Sequence, residues 1–224
     1  MGSLEYLLHF DIDKRNFTIV DVDEDGHKLQ QYNRLLFCDS KKRIWAGGEM
    51  GISVFNQVGT SLLPNTDFQI ASVLKQAFVN CFYETSSGYL WIGTRNGLFA
   101  LKESDKQFLQ YTTENGLPSN VIYGILEDAY GRLWISTNQG LSCLNPESGK
   151  FRNFTIMDGL QGNQFNAGAY CRKDNGYMLF GGVNGITSFR PETLIDNPYA
   201  PKPVINKLFV HNKEVLPDDE TGIL

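Results

Sequence analysis

The feature that most constrains this chain is a motif that recurs at a nearly constant spacing. Two copies read "GYLWIGTRNGLFAL" at residues 88–101 and "GRLWISTNQGLSCL" at residues 131–144. Aligning all copies gives four anchor positions, which lie 43 to 46 residues apart: Trp45, Trp91, Trp134 and Leu179. A period of this length is typical of a β-propeller, in which every repeat forms one blade of four strands.

Each copy predicts the same succession of strands. A strand rich in branched and aromatic residues, such as "NVIYGILED" at 120–128, comes first, and a turn containing glycine joins it to the anchor strand. In the first copy, Lys42 replaces that glycine. A glycine six residues after every anchor marks a two-residue hairpin, where Asn-Gly accepts positive φ cheaply. A third strand and a more hydrophilic fourth strand follow, so we predict an all-β fold of four-stranded antiparallel blades.

The anchor strands indicate how the blades pack. "YLWIG" and "RLWIS" are almost continuously apolar, as expected of a strand that is covered on both faces by neighbouring sheets. We therefore expect the three tryptophans to fill the space between blades, where each buries about 150–250 Å². The residues two places after the anchors are small, which fits crowding near a central axis: Gly47, Gly93, Ser136 and Gly181.

The repeat also divides the chain. We expect the outer strands of a partial blade at 1–28, complete blades at 29–69, 70–118 and 119–163, a final blade without its fourth strand at 164–194, a proline-rich linker at 195–203 and a new strand pair at 204–224. This gives about three complete and two partial blades. The N-terminal strands either complete the final blade or belong to a larger ring. A larger ring would leave sheet edges exposed and favour self-association.

Composition narrows the range of partners. The net charge of −5 and the lack of basic patches argue against nucleic acid and acidic membrane surfaces as partners. No apolar run is long enough to cross a bilayer, and the first residues lack the pattern of an export signal. The four cysteines show no C-x-x-C spacing, so we expect buried thiols more than disulfides or metal ligands.

Catalytic and metal chemistry are not evident in the sequence. The stretch "DVDEDG" at 21–26 matches the first half of a calcium loop, but Tyr32 stands where the closing acidic ligand belongs, so an acidic turn is favoured. Glu127 and Asp128 are interpreted as a solvated turn, and the three histidines lie far apart. We therefore predict no catalytic residues, no metal site, no cofactor and no enzyme activity for this chain.

At residues 116–155, the text "GLPSNVIYGILEDAYGRLWISTNQGLSCLNPESGKFRNFT" closely resembles the propeller repeats of the sensor half of hybrid two-component histidine kinases, which respond to glycans in gut anaerobes. Residues 158–192 resemble the last blade of such a propeller. The stretch "APKPVINKLFVHNKEVL" at 200–216 is similar to the first strands of the immunoglobulin-like β-sandwich domain that follows it. The resemblance implies a piece of a periplasmic sensor whose kinase and response-regulator parts lie beyond a membrane span.

Propeller topology indicates where a ligand would bind. The hairpins between second and third strands emerge on the same face as the connections between blades, and ligand contacts gather on such loops. Seven candidate ligand-binding residues lie there: Glu49, Arg95, Asn120, Asn138, Gln139, Asn163 and Gln164. Arg95 is the most distinctive, because its guanidinium can donate to saccharide hydroxyls and carboxylates. Each of the seven is also compatible with an ordinary polar turn.

Three functions remain open at this stage. The first is a sensor module that binds an oligosaccharide and passes the signal to the following immunoglobulin-like domain. The second is a structural or protein-interaction propeller without a small-molecule ligand. The third and least favoured is a propeller lyase or glycosidase, because convergent carboxylates are missing.

Overall fold

The computed structural model describes residues 7–12, 14–20, 33–49, 51–58, 61–65, 73–102, 107–194, 208–210 and 213–215. The chain divides into two units, residues 1–193 and 194–224. The described residues contain β-strands, short 3-10 turns and loops, and no α-helix. The predicted linker at 195–203 and the acidic stretch at 21–26 lie outside the described residues.

Three sheets have four antiparallel strands in sequence order. The first blade comprises β3 (Asn33–Cys38), β4 (Arg43–Gly48), β5 (Gly51–Val58) and β6 (Ser61–Pro64). The second comprises β7 (Val79–Glu84), β8 (Leu90–Thr94), β9 (Gly97–Lys102) and β10 (Gln107–Tyr111). The third comprises β11 (Ile122–Glu127), β12 (Leu133–Thr137), β13 (Gly140–Asn145) and β14 (Lys150–Phe154).

Two smaller sheets flank these blades in sequence. A hairpin of β1 (Leu7–Asp11) and β2 (Asn16–Val20) precedes them, and a three-stranded sheet of β15 (Phe165–Arg172), β16 (Met178–Gly182) and β17 (Gly185–Phe189) follows. The prediction of three complete and two partial blades is confirmed. Within the described residues β1 pairs with β2 and not with β17, so the N-terminal strands do not complete the last sheet.

The second unit is described only in part. Strands β18 (Leu208–Val210) and β19 (Lys213–Val215) form an antiparallel hairpin in which Val210 pairs with Lys213. A strand pair at this position was expected from the sequence. Lys213 and Glu214 belong to β19.

The first strand of each blade lies innermost. β11 packs against both β7 and β15, and β7 also contacts β15. The fourth strands lie at the outer edge of their sheets. This radial order is the one expected of a propeller. It places the turns after the inner strands on one face, and the hairpins between second and third strands on the opposite face.

The tryptophans lie between blades, as predicted. Trp45, Trp91 and Trp134 are at most 2% exposed, and each packs with side chains of the following blade. In β8 the faces alternate: Leu90 and Ile92 join the core shared with the first blade, while Trp91 joins the core shared with the third. Successive side chains of a strand point to opposite faces, so a strand covered on both sides needs apolar residues throughout.

The hairpin glycines have two separate reasons to be glycine. Gly97 has a φ of 119°, and a Cβ there would lie 2.6 Å from the Tyr111 carbonyl oxygen. Its N–H donates to the carbonyl of Asn120 in the next blade at 2.8 Å, and Gly140 repeats this contact with Asn163 at 2.6 Å. Only the glycine has positive φ, so the prediction that Asn96 shares it was wrong; Thr94 pairs with Gly97 across a two-residue loop.

Glu127 and Asp128 do not form a solvated turn. They are 8% and 4% exposed, so that interpretation was wrong. The Asp128 carboxylate accepts from the Arg132 guanidinium at 2.7 Å and the Trp134 indole N–H at 2.9 Å. We call this set of contacts the Asp-Arg-Trp triad; its aspartate ties the turn before the anchor strand to the tryptophan between the blades.

The first blade carries the same triad. Asp39 accepts from Arg43 at 2.6 Å and from the Trp45 indole at 2.8 Å. The pattern D-x-x-x-R-x-W therefore recurs in two of the blades, at residues 39–45 and 128–134. Charge-assisted hydrogen bonds of this kind satisfy a buried indole donor that would otherwise be costly.

A second polar contact joins successive blades. The Glu84 carboxylate accepts from the backbone N–H and hydroxyl of Ser40, both at 2.7 Å, and Glu127 accepts in the same way from Ser86 at 3.0 and 3.1 Å. Each glutamate ends the inner strand of one blade, and each serine lies in the turn of the blade before it. These contacts fix the rotation of one blade against the next.

Two sheets expose apolar side chains on one face in the described part of the chain. Leu36 on β3 is 62% exposed, and Ile186 on β17 is 65% exposed. Cys38 and Cys171 are exposed on inner strands of the same two sheets, so the expectation of buried thiols holds only for Cys81 and Cys143. Burial raises the pKa of the Cys81 thiol to about 12, which keeps it protonated.

The turn of the first blade offers a test of backbone strain. Lys42 has a φ of 64° where the other blades have Gly88, Gly131 and Gly176 with positive φ. A left-handed conformation costs a side-chain-bearing residue about 1–2 kcal/mol, partly offset by the entropy that glycine gains in the unfolded chain. We expect Lys42→Gly to raise the free energy of unfolding by about 0.5–1 kcal/mol in urea titration.

Lys42→Ala is the matched control, because it removes the same side chain and keeps the Cβ in the strained position. It should not stabilise the protein. Equal stabilisation by both variants would show that the lysine side chain, and not the backbone conformation, is unfavourable.

Asp39 predicts a pH dependence. Burial alone would raise its pKa, but hydrogen bonds from Trp45 and Arg43 and the Arg43 charge outweigh burial and hold the pKa below its ordinary value. A depressed pKa stabilises the fold above the unfolded-state pKa of about 3.9, and this stabilisation is lost as the pH falls through the folded-state pKa. We expect Asp39→Asn to cost about 2 kcal/mol at pH 7 and to flatten the acid dependence of unfolding.

The control is Asp174→Asn, which changes an exposed carboxylate in the corresponding turn of the last sheet. Urea unfolding between pH 7 and pH 2 should show wild-type acid dependence for this variant. A curve for Asp39→Asn that runs parallel to the wild type would contradict the assigned role of the carboxylate.

Candidate ligand-binding face

The loops of the blades lie on two opposite faces. The hairpins between second and third strands and the connections between blades form one face, which we call the hairpin face. The turns that follow each inner strand, such as 85–88 and 128–131, form the other, which we call the turn face. All seven candidate residues from the sequence lie in loops of the hairpin face or beside them.

Buried threonines hold the hairpins in shape. The Thr94 hydroxyl donates to the Gly97 carbonyl at 2.8 Å and accepts from the Asn96 N–H at 2.9 Å. Thr137 makes the same pair of bonds with Gly140 and with the N–H of Gln139. The bonds to Asn96 and Gln139 use main-chain atoms, so both side chains remain available at the tip.

Asn120 and Asn163 are engaged in holding the connections. The side-chain oxygen of Asn120 accepts from the Thr113 N–H at 2.8 Å, and that of Asn163 accepts from the Ile156 N–H at 2.8 Å. Their carbonyls accept from the hairpin glycines of the preceding blade. Both asparagines therefore position loops, and their role in ligand contact remains a prediction.

Glu49 and Arg95 are brought together through two residues that the sequence did not single out. The Arg95 guanidinium lies 3.6 Å from the centroid of the Phe78 ring, and Arg34 lies over the same ring at 5.9 Å. Arg34 also forms an ion pair with Glu49. The four side chains form what we call the arginine cluster, with Arg95 exposed at its edge.

The stack fixes the orientation of Arg95. A guanidinium that lies flat on an aromatic ring keeps its N–H donors in a plane parallel to that ring, so they remain free to meet acceptors at its edge. The backbone N–H of Arg95 also donates to the Phe78 carbonyl at 3.0 Å. The hairpin and the strand entry are thus joined at two points, which restricts the conformations open to Arg95.

Asn138, Gln139 and Gln164 lie at the next hairpin and its neighbouring connection. The side-chain oxygen of Asn138 is buried and lacks a hydrogen-bond partner among the described residues. The Gln164 carbonyl accepts from the Val183 N–H at 3.3 Å and from the Gln161 side chain at 3.1 Å. Gln161 also accepts from the Asn184 N–H, so this connection is held mainly by Gln161, which sequence reasoning missed.

The candidates therefore form two groups. Glu49, Arg95 and Asn120 surround the hairpin of the second blade, and the other four surround that of the third. Within the described ranges no hydrogen bond, ion pair or ring contact joins the two groups. Phe78 could have been recognised as a candidate only from its position immediately before an inner strand, because a single phenylalanine carries no motif.

The chemistry of this face is that of hydrogen bonding. It offers a guanidinium, amide groups and a paired carboxylate, with an aromatic ring beneath the guanidinium. In the part of the chain that the structure describes, no group of three or more His, Cys, Asp or Glu side chains is arranged to hold a metal ion. No helix of that part is long and apolar enough to span a membrane.

Residues 74–96 and 116–139 match the two-component regulator propeller family. The chain is 28% identical over 225 residues to histidine kinase P4 of Formosa agariphila, covering 97% of this chain and 16% of the kinase. The matched segments contain the Trp91 and Trp134 repeats.

Solved structures show the same architecture. The extracellular domain of a protein assigned to the hybrid two-component systems of B. thetaiotaomicron superposes with a TM-score of 0.71 at 24% identity, covering 92% of this chain and 29% of that one. The extracellular domain of a protein assigned to the one-component systems of the same organism gives a TM-score of 0.56 at 25% identity, covering 70% and 24%. The chain spans less than a third of each relative. Two segments of the chain thus match two-component regulator propeller repeats, and its fold is similar to that of extracellular domains from such signalling systems.

Asn120 holds a connection between blades, whereas Arg95 is exposed, so we expect the two residues to contribute differently to the free energy of unfolding. Asn120→Ala removes the acceptor of the Thr113 N–H, and a lost hydrogen bond of this kind costs about 1 kcal/mol. Arg95→Ala removes an exposed stack and should change the free energy of unfolding by less than about 0.5 kcal/mol. Urea unfolding of the two variants checks the difference; a larger loss for Arg95→Ala would assign the arginine a structural role.

Proposed function

We propose that this chain is the ligand-sensing propeller of a hybrid two-component receptor, that it works in the periplasm, and that its hairpin face binds an oligosaccharide. The similarity to a histidine kinase and to extracellular domains of signalling proteins supports the receptor assignment. The kinase output itself would belong to other parts of the receptor.

The observation that carries the proposal is the Arg95–Phe78 stack. An exposed arginine loses conformational entropy when it binds, but Arg95 is already held 3.6 Å above an aromatic ring. Its donors are presented in a fixed plane, next to the Arg34–Glu49 ion pair. Preorganised donors of this type suit the hydroxyl and carboxylate oxygens of a saccharide.

The amide side chains of the second group extend this surface. Asn138 has a buried side-chain oxygen that lacks a partner among the described residues, and Gln139 is exposed at the same hairpin. An oligosaccharide offers hydroxyl groups that donate as well as accept, so it can bind guanidinium and amide groups in succession. We infer that one ligand spans both hairpins, with Arg95 as its principal anchor.

Signal transfer is proposed to pass into the immunoglobulin-like domain. The β18–β19 hairpin is the described part of the second unit, where the sequence resembles the start of that domain. Self-association is proposed as well, because Leu36 and Ile186 expose apolar surface on two sheet faces. Covered apolar faces stabilise an assembly in proportion to the area removed from water.

A glycan panel in a thermal-shift assay, followed by calorimetry on each hit, tests the function. Stabilisation by one oligosaccharide is expected, since binding to the folded state alone raises its stability. Arg95→Ala should weaken that binding at least tenfold at unchanged melting temperature, and Arg95→Lys should restore little, because lysine lacks the planar fork.

Arg190→Ala is the matched control. Arg190 is also exposed and lies over an aromatic ring, that of Tyr177 at 5.7 Å, but it is located beside a turn of the turn face. Its loss should leave glycan affinity unchanged. Equal affinity of Arg95→Ala and wild type would remove Arg95 from the site, and the release of cleavage products from any glycan would contradict a purely sensing role.

A further inference from the structure

The chain contains four Asn-Gly dipeptides, which are the sites where asparagine most readily loses its side-chain amide: Asn96–Gly97, Asn115–Gly116, Asn175–Gly176 and Asn184–Gly185. The reaction begins when the backbone nitrogen of the following residue attacks the side-chain amide carbon of asparagine. Glycine allows the attack because it has no Cβ and adopts conformations that other residues avoid. A glycine N–H that is held in a hydrogen bond and a hairpin that cannot open both slow the attack. The contacts of each dipeptide therefore decide which of the four reacts.

Two of the dipeptides have both reacting groups engaged. The Gly116 N–H donates to a carbonyl of its own turn at 3.2 Å, and the Asn115 side-chain oxygen accepts from a backbone N–H at 2.8 Å. The Gly176 N–H and the Asn175 side-chain oxygen are held in the same way, at 3.0 and 3.3 Å. Each dipeptide must lose these hydrogen bonds before its glycine nitrogen reaches the amide carbon.

The other two dipeptides occupy the same position in different sheets. Asn96–Gly97 lies at the hairpin between β8 and β9, and Asn184–Gly185 lies at the hairpin between β16 and β17. Both asparagines are exposed, and neither side chain forms a hydrogen bond among the described residues. The two glycines have similar φ angles, 119° and 125°. A difference in reactivity between the two dipeptides of the folded protein therefore arises from their surroundings.

The Asn96–Gly97 hairpin is held by its own threonine and by the next blade. The Gly97 N–H donates to the Asn120 carbonyl of that blade at 2.8 Å. The Thr94 hydroxyl accepts from the Asn96 N–H at 2.9 Å and donates to the Gly97 carbonyl at 2.8 Å. Gly97 is buried, and a Cβ there would lie 2.6 Å from the Tyr111 carbonyl oxygen. The nitrogen that would attack is therefore engaged in the seam between two blades.

The Asn184–Gly185 hairpin lacks these contacts in the described part of the chain. Gly182 stands where the second blade has Thr94, so no hydroxyl braces the loop. Outside its own sheet, no described backbone carbonyl accepts from the Gly185 N–H. Gly185 is exposed, and apart from its chain neighbours no described atom would lie within 4 Å of a Cβ placed on it. The bonds that join this hairpin to the neighbouring connection, such as that from the Asn184 N–H to the Gln161 side-chain oxygen at 2.8 Å, involve neither the Gly185 nitrogen nor the Asn184 side-chain amide.

We propose that Asn184 is a modification site, the asparagine that deamidates spontaneously in the folded protein. The Gly185 nitrogen forms a bond to the Asn184 side-chain amide carbon and gives its proton to solvent, while the side-chain nitrogen takes up a proton and leaves as ammonia. The product is a cyclic succinimide that joins the two residues. Water then opens the ring at either of its carbonyl carbons, which yields aspartate or isoaspartate at position 184. One water is consumed and one ammonia is released, and the reaction uses no oxidant.

The modification changes the hairpin face permanently. It adds one negative charge at the tip of the last hairpin, in a chain whose net charge is −5. Isoaspartate also inserts a methylene into the main chain of a two-residue loop, across which Gly182 pairs with Gly185. Because loop length fixes the register of a hairpin, this product disturbs the pairing of β16 with β17. The reaction needs no ligand, so it is independent of oligosaccharide binding and accumulates with the age of the protein.

Incubation of the folded protein in mildly alkaline ¹⁸O-water, followed by proteolysis and mass spectrometry of the peptides, tests the proposal. Label at an asparagine position marks a succinimide that water opened during the incubation. We expect the Asn184 peptide to take up label at least tenfold faster than the Asn96 peptide. In urea the two rates should converge, because unfolding removes the contacts that protect Asn96.

Asn184→Gln assigns the event to one residue, because glutamine would have to form a larger ring and reacts far more slowly. This variant should lose the fast uptake of label and the acidic species that ion exchange separates from the parent protein. Its melting temperature should equal that of the wild type, since the Asn184 side chain is exposed. Asn96→Gln is the matched control and should leave the fast event unchanged.

Three outcomes would overturn the proposal. Equal rates for Asn184 and Asn96 in the folded protein would show that the surroundings of the hairpin have no effect. Faster uptake of label at Asn115 or Asn175 would place the reactive residue elsewhere, as would a fast event that persists in Asn184→Gln. Uptake at Asn184 that is slow in the folded protein and fast in urea would show that this hairpin is protected despite its exposure.

Discussion

The structure depends on one interaction, the insertion of a tryptophan between consecutive blades. Each anchor strand contributes alternate side chains to two cores, so Ile92 packs against the blade before it and Trp91 against the blade after it. Removing a buried tryptophan costs about 3–5 kcal/mol, and in this arrangement the loss would affect two sheets at once. The close approach of blades also explains Gly93, where a Cβ would lie 2.7 Å from Ile122 of the next blade.

The two partners of a polar contact between blades are kept or replaced together. Ser40 with Glu84 and Ser86 with Glu127 repeat one pairing, but the third seam has Ala129 and Arg172 at those positions, so both partners change together. Arg172 instead donates to the Glu127 carbonyl at 2.9 Å. The Asp-Arg-Trp triad follows the same rule, because a buried charge without its partner is costly. A blade therefore keeps both charged partners or replaces both, as the second blade does with Thr85 and Tyr89 while it keeps Trp91.

Much of the fold could be predicted from the sequence, because its determinants are local and periodic. The anchor tryptophans, the hairpin glycines and the number of blades all follow from a spacing that a single chain displays. The arginine cluster could not be predicted, since the contact of Arg95 with Phe78 depends on how the hairpin closes over the strand entry. Glu127 was taken for a solvated residue because its partner, Ser86, lies 41 positions away in another blade.

The hairpin face and the turn face hold neighbouring blades together by different contacts. This difference decides where recognition can arise. On the hairpin face, main-chain bonds such as Gly97 to Asn120 carry much of the tie between blades, so side chains like Arg95 are free to differ from blade to blade. On the turn face, side-chain contacts supply that tie: Glu84 accepts from Ser40 of the blade before it, and Glu127 accepts from Ser86. Cavities of about 260 Å³ open in this face both beside Asp39 and Arg43, where the triad is complete, and beside Tyr89, where it is replaced. Replacement of the aspartate and arginine at Thr85 and Tyr89 leaves the indole N–H of Trp91 without a hydrogen-bond partner among the described residues, a local cost that the packing of Trp91 between two sheets has to offset.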